Sequence, residues 1–156
     1  MSNEYCIRLA TPADTVALYQ IHRNSVERLC RAHYAPEQIA MWLDGRAPEG
    51  YLEAIIRGDL WLAEDTGVLG FVEIEGAEVS KLFVAGDHAA RGVGTRLLQT
   101  AIAALEAREV ATIHIEATRN AVPFYEKFQF RVTGSGYFSR GNSPVRIEIA
   151  TMERRS

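Results

Sequence analysis

Leu82-Phe83-Val84-Ala85-Gly86-Asp87-His88-Ala89-Ala90-Arg91-Gly92-Val93-Gly94-Thr95 is the stretch on which the reading of this chain turns. Its first three residues are apolar and suit the end of a strand, and its last open a helix. From Gly92 onward Val93, Leu97, Leu98, Ala101, Ile102 and Leu105 fall on one face of a helix running to about Arg108. A loop feeding a helix N-terminus exposes unpaired backbone N–H groups at the positive end of the dipole, which suits a phosphate or pyrophosphate. Gly92 and Gly94 carry no Cβ and let such a group approach the backbone, while Arg91 and Arg96 add nearby cations. Taken alone, Gly92-Val93-Gly94 also fits a tight strand-to-helix turn that binds nothing. A P-loop would need Gly-Lys-Ser/Thr where Gly94-Thr95-Arg96 stands, and a dinucleotide fingerprint would need a third glycine at Leu97.

Upstream, Leu60–Glu64, Val68–Ile74 and Glu78–Val84 read as successive strands joined by Thr66-Gly67 and Gly76, connections short enough for an antiparallel meander. Before them come a short strand at Cys6–Leu9 and three helical pieces. The first starts at Thr11-Pro12-Ala13-Asp14, a capping residue followed by proline and an acid. The others start near Pro36 and after the Ala47-Pro48-Glu49-Gly50 break. Downstream, Thr112–Glu116 returns to strand, a short helix covers about Ala121–Phe128, a strand lies near Phe130, and Val145, Ile147 and Ile149 alternate as a last strand. The order is β, three helices, βββ, α, β, α, ββ. It predicts an α/β (α+β) chain forming one domain over residues 1–156.

The chain has 156 residues, 47% hydrophobic and 24% charged, with a net charge of −3. That composition suits a globular core without disulfide or metal staples, and it supplies no global basic field for nucleic acid or anionic lipid. Cys6 and Cys30 have no metal-ligand spacing. The N-terminal residues lack the blocks of a signal peptide, and no apolar run reaches spanning length, so a cytoplasmic protein with no membrane or nucleic-acid partner and no metal is expected.

With Leu82-Phe83-Val84, the loop ending in Gly92-Val93-Gly94, and Phe124-Tyr125-Glu126-Lys127, the sequence resembles the GNAT superfamily of N-acetyltransferases. The resemblance is best over roughly Leu60–Phe138. It implies a mixed, mostly antiparallel sheet of six to seven strands, splayed at the fourth and fifth strands and flanked by helices. It implies acetyl-CoA as acyl donor, with the pyrophosphate on Ala89, Ala90, Arg91, Gly92, Val93, Gly94 and Thr95. Ala89 departs from the family's Gln/Arg, which puts the binding on the backbone. Leu82, Phe83 and Val84 would pair with the pantetheine arm, Phe83 and Val84 being the candidates for the N–H that polarises the thioester carbonyl.

The same resemblance implies direct attack by a primary amine, from a small molecule or a peptide, in a ternary complex. Tyr125 would protonate the departing thiolate. Glu78, sixteen residues before Gly94, would act as base, with Glu73, His114 and Glu116 as competitors; strand parity puts His114 and Glu116 on one sheet face. Thr118 stands where many relatives carry a CoA-contacting asparagine, with Asn120 offset by two, and Phe128-Gln129-Phe130 replaces the usual Leu-Gly-Phe turn. His22, Arg23, His33, Tyr34, Trp42, Tyr137 and Arg140 are candidate acceptor-lining residues. A non-catalytic acyl-CoA-binding module of the same fold is the alternative, and edge strands make a homodimer compatible with the pattern.

Overall fold

The computed structural model describes residues 4–29, 34–43, 45–85, 92–139 and 143–155. Seven strands, β1(Cys6–Leu9), β2(Leu60–Glu64), β3(Val68–Glu75), β4(Glu78–Val84), β5(Thr112–Thr118), β6(Arg131–Phe138) and β7(Ile147–Arg155), form one sheet in the order β1-β2-β3-β4-β5-β7-β6. Every pairing is antiparallel except β4 with β5. Helices α1(Thr15–Leu29), α2(Pro36–Leu43), α3(Leu52–Arg57), α4(Val93–Ala107) and α5(Val122–Glu126) flank it. The expected element order and the mostly antiparallel, splayed sheet are therefore present.

Local chemistry sets the ends of these elements. Before α1 the chain makes a 3-10 turn at Pro12–Asp14, where the Asp14 carboxylate accepts the Thr11 N–H at 2.7 Å. Arg8 clamps Asp14 with two bonds of 2.9 and 3.0 Å and reaches Glu64 at 2.9 Å, tying β1, the turn before α1 and β2 together. Helix α5 is shorter than the apolar spacing predicts: a 3-10 turn at Arg119–Ala121 takes its first residues. Its last turn closes when Gln129 N–H bonds Glu126 O at 3.2 Å and Phe130 N–H bonds Tyr125 O at 3.3 Å.

That double bond is a Schellman motif, and it requires a left-handed residue at its turn. Gln129 takes that conformation with φ 69°, so the turn usually made by glycine is kept here by a residue that strains to adopt it. Helix α4 ends the same way at Glu109, φ 62°, whereas α3 uses Gly58. Gln129→Gly is expected to stabilise the fold by about 1 kcal/mol, read as a melting temperature higher by about 3 °C. An unchanged or lower melting temperature would show that the left-handed turn carries no strain.

Both faces of the sheet are covered near its middle. On one face Val72, Ile74, Val79, Ile113, Ile115 and Met152 pack against Leu97, Leu98 and Leu105 of α4 and Tyr125 of α5. On the other, Leu60, Leu62 and Phe71 pack under α1 and α3, and Ile147 and Ile149 under Val26, Met41 and Trp42. Gly70 permits the close approach on the α4 face, because a Cβ there would stand 2.7 Å from Phe83 O and 3.3 Å from Leu97 Cδ1.

Strands β4 and β5 share a single bridge, Glu78 with His114, and part beyond it. The cause lies in β4. Glu73 pairs with Lys81 and Ile74 with Val79, which leaves Ser80 as an extra residue. Such a bulge bends its strand and raises the local twist. Ser80 Oγ fixes the bulge by donating to the Glu73 carboxylate at 2.7 Å.

Candidate active site

The splay opens a cleft of about 520 Å³ that passes through the sheet between β4 and β5. Its mouth on the α4 side is lined by Val84, Gly92, Gly94, Thr95, Phe124 and Tyr125. The opposite mouth, toward α1 and α2, is lined by His22, Trp42, Phe83, Phe138, Ile147 and Ile149. Glu78 and Glu116 stand on facing walls where the two strands separate. A volume of this size is ordinary for a small-molecule site.

At the first mouth Gly92 caps α4 with φ 75°, a left-handed conformation that glycine adopts without penalty. A Cβ built there would meet no described atom within 4 Å, its chain neighbours aside. Gly94 sits deeper, its missing Cβ facing the Phe124 ring and Val84 at 3.6 Å. Thr95 lines the cleft, Val93 is fully buried in the core, and Ala89, Ala90 and Arg91 lie outside the described residues. Arg96 turns away from the cleft, its guanidinium 4.9 Å from the Tyr5 ring centroid.

Along β4 the backbone alternates in direction. Ala85 N–H donates to Leu69 O on β3 at 2.8 Å. The two-residue period of an antiparallel ladder turns Phe83 N–H toward β3 as well, opposite Phe71, and turns Leu82 and Val84 N–H toward the gap. Of the two expected thioester donors, the Phe83 N–H is thus spent within the sheet. The Phe83 ring instead faces the other mouth, stacked on His22 at 4.0 Å.

Tyr125 is 8% exposed, packed edge-on against Phe124 and Phe130 at 5.2 and 5.9 Å. Burial pushes its phenol above the usual range, which keeps the proton on. Glu78 is half-buried, and its carboxyl is raised first by desolvation and then by the charges of Glu116 and Glu75, against a smaller pull from His114 and Lys81. Thr118 and Asn120 both line the cleft just before α5.

The competing bases separate cleanly. Glu73 is buried behind β4 and held by Ser80 Oγ at 2.7 Å and Lys81 Nζ at 2.8 Å. His114 and Glu116 do share a face, but His114 points to solvent toward Glu153 at 3.7 Å and does not line the cleft. Glu78 and Glu116 are the two carboxylates among its described lining residues.

Among the expected acceptor-side residues, His22 and Trp42 line the cleft. Tyr137 is 65% exposed and turned out under Arg146, and its neighbour Phe138 lines the cleft instead. Arg23 and Tyr34 lie in a separate groove between α1 and α2. His33 and Arg140 lie outside the described residues. Ser25, Arg46, Phe138, Ile147 and Ile149 had no motif to mark them; the alternation of Val145, Ile147 and Ile149 marked a strand without saying which face meets the cleft.

The left-handed Gly92 makes one expectation concrete. Gly92→Val is strained at φ 75° and puts a branched side chain where the pyrophosphate is proposed to approach, so acetyl-CoA affinity should fall about 10-fold or more. Calorimetric titration reads it, and an unchanged Kd would mean that no phosphate approaches this terminus.

Among the described residues no group of three or more His, Cys, Asp or Glu side chains could hold a metal ion, and no helix is long and apolar enough to cross a membrane. Residues 30–150 match the family model of the acetyltransferase (GNAT) domain. The curated proteins contain no match. Among solved structures, a GCN5-related N-acetyltransferase from Rhodopseudomonas palustris superposes with TM-score 0.88 at 23% identity, over 97% of this chain and 95% of that one. A PaiA N-acetyltransferase from Thermoplasma acidophilum, solved with coenzyme A, gives 0.73 at 20%, over 98% and 99%. YncA of Salmonella typhimurium, solved with acetyl-CoA, gives 0.75 at 15%, over 97% and 94%. At these identities the three share the fold.

Proposed function

The chain belongs to the GNAT acetyltransferase family, and from that premise we propose that it moves acetyl from acetyl-CoA to a primary amine by direct attack within a ternary complex. The observation that carries this reading is the cleft between β4 and β5. One mouth holds the first turn of α4 and a buried phenol, and the other an apolar wall beside two carboxylates. Donor and acceptor thereby enter from opposite faces of the sheet and meet where the strands part.

Gly92, Gly94 and Thr95, with the backbone N–H groups at the start of α4, receive the pyrophosphate. Leu82 and Val84 offer their gap-facing backbone to the pantetheine arm, and Val84 N–H donates to the carbonyl oxygen as negative charge develops on it. Thr118 borders the same arm.

Glu78 accepts a proton from the acceptor, directly or through water, so that a neutral nitrogen attacks the carbonyl carbon. The new C–N bond forms as the C–S bond breaks. Tyr125 donates to the departing sulfur. Burial raises its pKa, which makes it a weaker acid than an ordinary thiol, whose value is about 8.5, so its main work is hydrogen bonding to the sulfur while charge builds there. The nitrogen is positively charged after attack and loses its second proton as the C–S bond breaks; that proton ends on the sulfur held by Tyr125, Glu78 gives the first back to solvent, and the products are the amide, free CoA and one proton. No covalent intermediate enters this reading; Cys6 is exposed and does not line the cleft, and Cys30 lies outside the described residues.

The test is a titration with acetyl-CoA followed by measurement of thiol release across a panel of primary amines. Binding with amine-dependent release supports transfer. Binding with no release above the solvent rate for any amine supports a module that only holds acyl-CoA, and absence of binding removes both readings.

A further inference from the structure

We infer that the acceptor is an arylalkylamine, a single primary amine on a flat apolar body, and not a polycation. This rests on the reading of the cleft as an acetyl-transfer site and concerns only its acceptor mouth. Three aromatic side chains converge there from three elements: Trp42 of α2, Phe83 of β4 and Phe138 of β6. The Trp42 ring lies 6.4 Å from that of Phe83 and 6.2 Å from that of Phe138. Ile147 and Ile149 of β7 extend the same wall, and His22 backs Phe83 at 4.0 Å. Rings held in this way offer faces and edges to another ring, an arrangement worth more than the buried area alone.

Charge sets the other half of the recognition. Among the described lining residues the carboxylates are Glu78 and Glu116, both at the point where β4 and β5 part, and the cations are Lys81 and Arg46. Lys81 is bound to the buried Glu73 at 2.8 Å, and Arg46 Nε to the Trp42 carbonyl at 2.8 Å. One ammonium is matched by the acidic pair. A second or third ammonium on the same molecule would lie against the ring wall or near fixed cations, with no further carboxylate among the described lining residues to meet it. The cleft volume of about 520 Å³ must also hold the thioester end of the donor, so the apolar body is small.

The experiment titrates 2-phenylethylamine, butylamine and spermidine into the protein with CoA present and again without it, and measures kcat/KM for each with acetyl-CoA. The expected order puts 2-phenylethylamine about 10-fold or more ahead of both others in affinity and in kcat/KM. Phe138→Leu, whose folding is checked by its melting curve, should erase most of that preference by raising the KM for 2-phenylethylamine; Trp42→Leu is the second variant. Spermidine equal to or ahead of 2-phenylethylamine overturns the inference, as does a folded Phe138→Leu protein that keeps the full preference. Loss of acetyl-CoA binding, or absence of turnover with every amine, would instead overturn the acetyl-transfer reading, because the amine affinities are read without turnover.

Discussion

Tyr125→Phe lowers the rate of amine acetylation by about 100-fold or more while leaving acetyl-CoA affinity unchanged. The substitution removes one oxygen and keeps the ring, so the edge-on contacts with Phe124 and Phe130 survive. Burial holds the phenol protonated at neutral pH. No hydrogen bond to a described residue engages that hydroxyl, which leaves its proton to the cleft it lines. Thiol-release kinetics and calorimetry on the same preparation separate the two quantities. A variant that releases CoA at the wild-type rate with a true acceptor would remove Tyr125 from the chemistry and leave its ring a packing role.

Glu78→Gln is the second large effect: a loss of about 100-fold in kcat/KM together with a gain in stability at neutral pH. The two have one origin. Desolvation, Glu116 and Glu75 raise the carboxyl of Glu78 above the ordinary glutamate range, about 4.3. The folded chain therefore holds this proton more tightly than the unfolded one. That contribution to stability is complete below the unfolded value and is lost as pH rises through the folded value. At neutral pH the charged side chain is then a net cost that Gln does not carry, a familiar exchange between stability and function.

Thermal melts should show the Gln variant ahead of wild type at pH 7, with the difference shrinking as pH falls through the folded value and constant below the unfolded one. The base must be deprotonated to work, so the acid limb of the pH–rate profile should lie above an ordinary glutamate's. Glu116→Gln should move that limb to lower pH by removing a like charge. A Glu78→Gln enzyme with the wild-type rate and profile would assign the base elsewhere, with Glu116 the other carboxylate lining the cleft.

What sequence carries here follows from periodicity. The strand ends Leu60, Glu64, Glu78 and Val84 and the α4 stripe were legible because burial on one face leaves a two- or 3.6-residue signature. The left-handed turn at Gln129 was not, because the Schellman bonds to Tyr125 and Glu126 impose it against the residue's own preference. The bulge at Ser80 was equally silent, since its stabilising bond goes to Glu73 on a neighbouring strand.

That bulge explains a good part of what sequence missed at the site. An extra residue in β4 opens the gap beyond Glu78, and the resulting cleft recruits Arg46, Phe138 and Ile147 from segments with no motif of their own. The choice of Tyr137 over Phe138 missed by one residue, and on a strand one residue is the opposite face. The backbone direction at Phe83 needed the ladder bond from Ala85 to Leu69 before it could be read.

The measurement that bears most directly on transfer in this cleft is a structure of the protein with acetyl-CoA bound. The expected result places the pyrophosphate ahead of Gly92 at the start of α4, the acetyl carbonyl oxygen about 3 Å from Val84 N, and the sulfur beside the Tyr125 hydroxyl. Acetyl-CoA lying outside the gap between β4 and β5, or entering it with the sulfur remote from Tyr125, would contradict the mechanism.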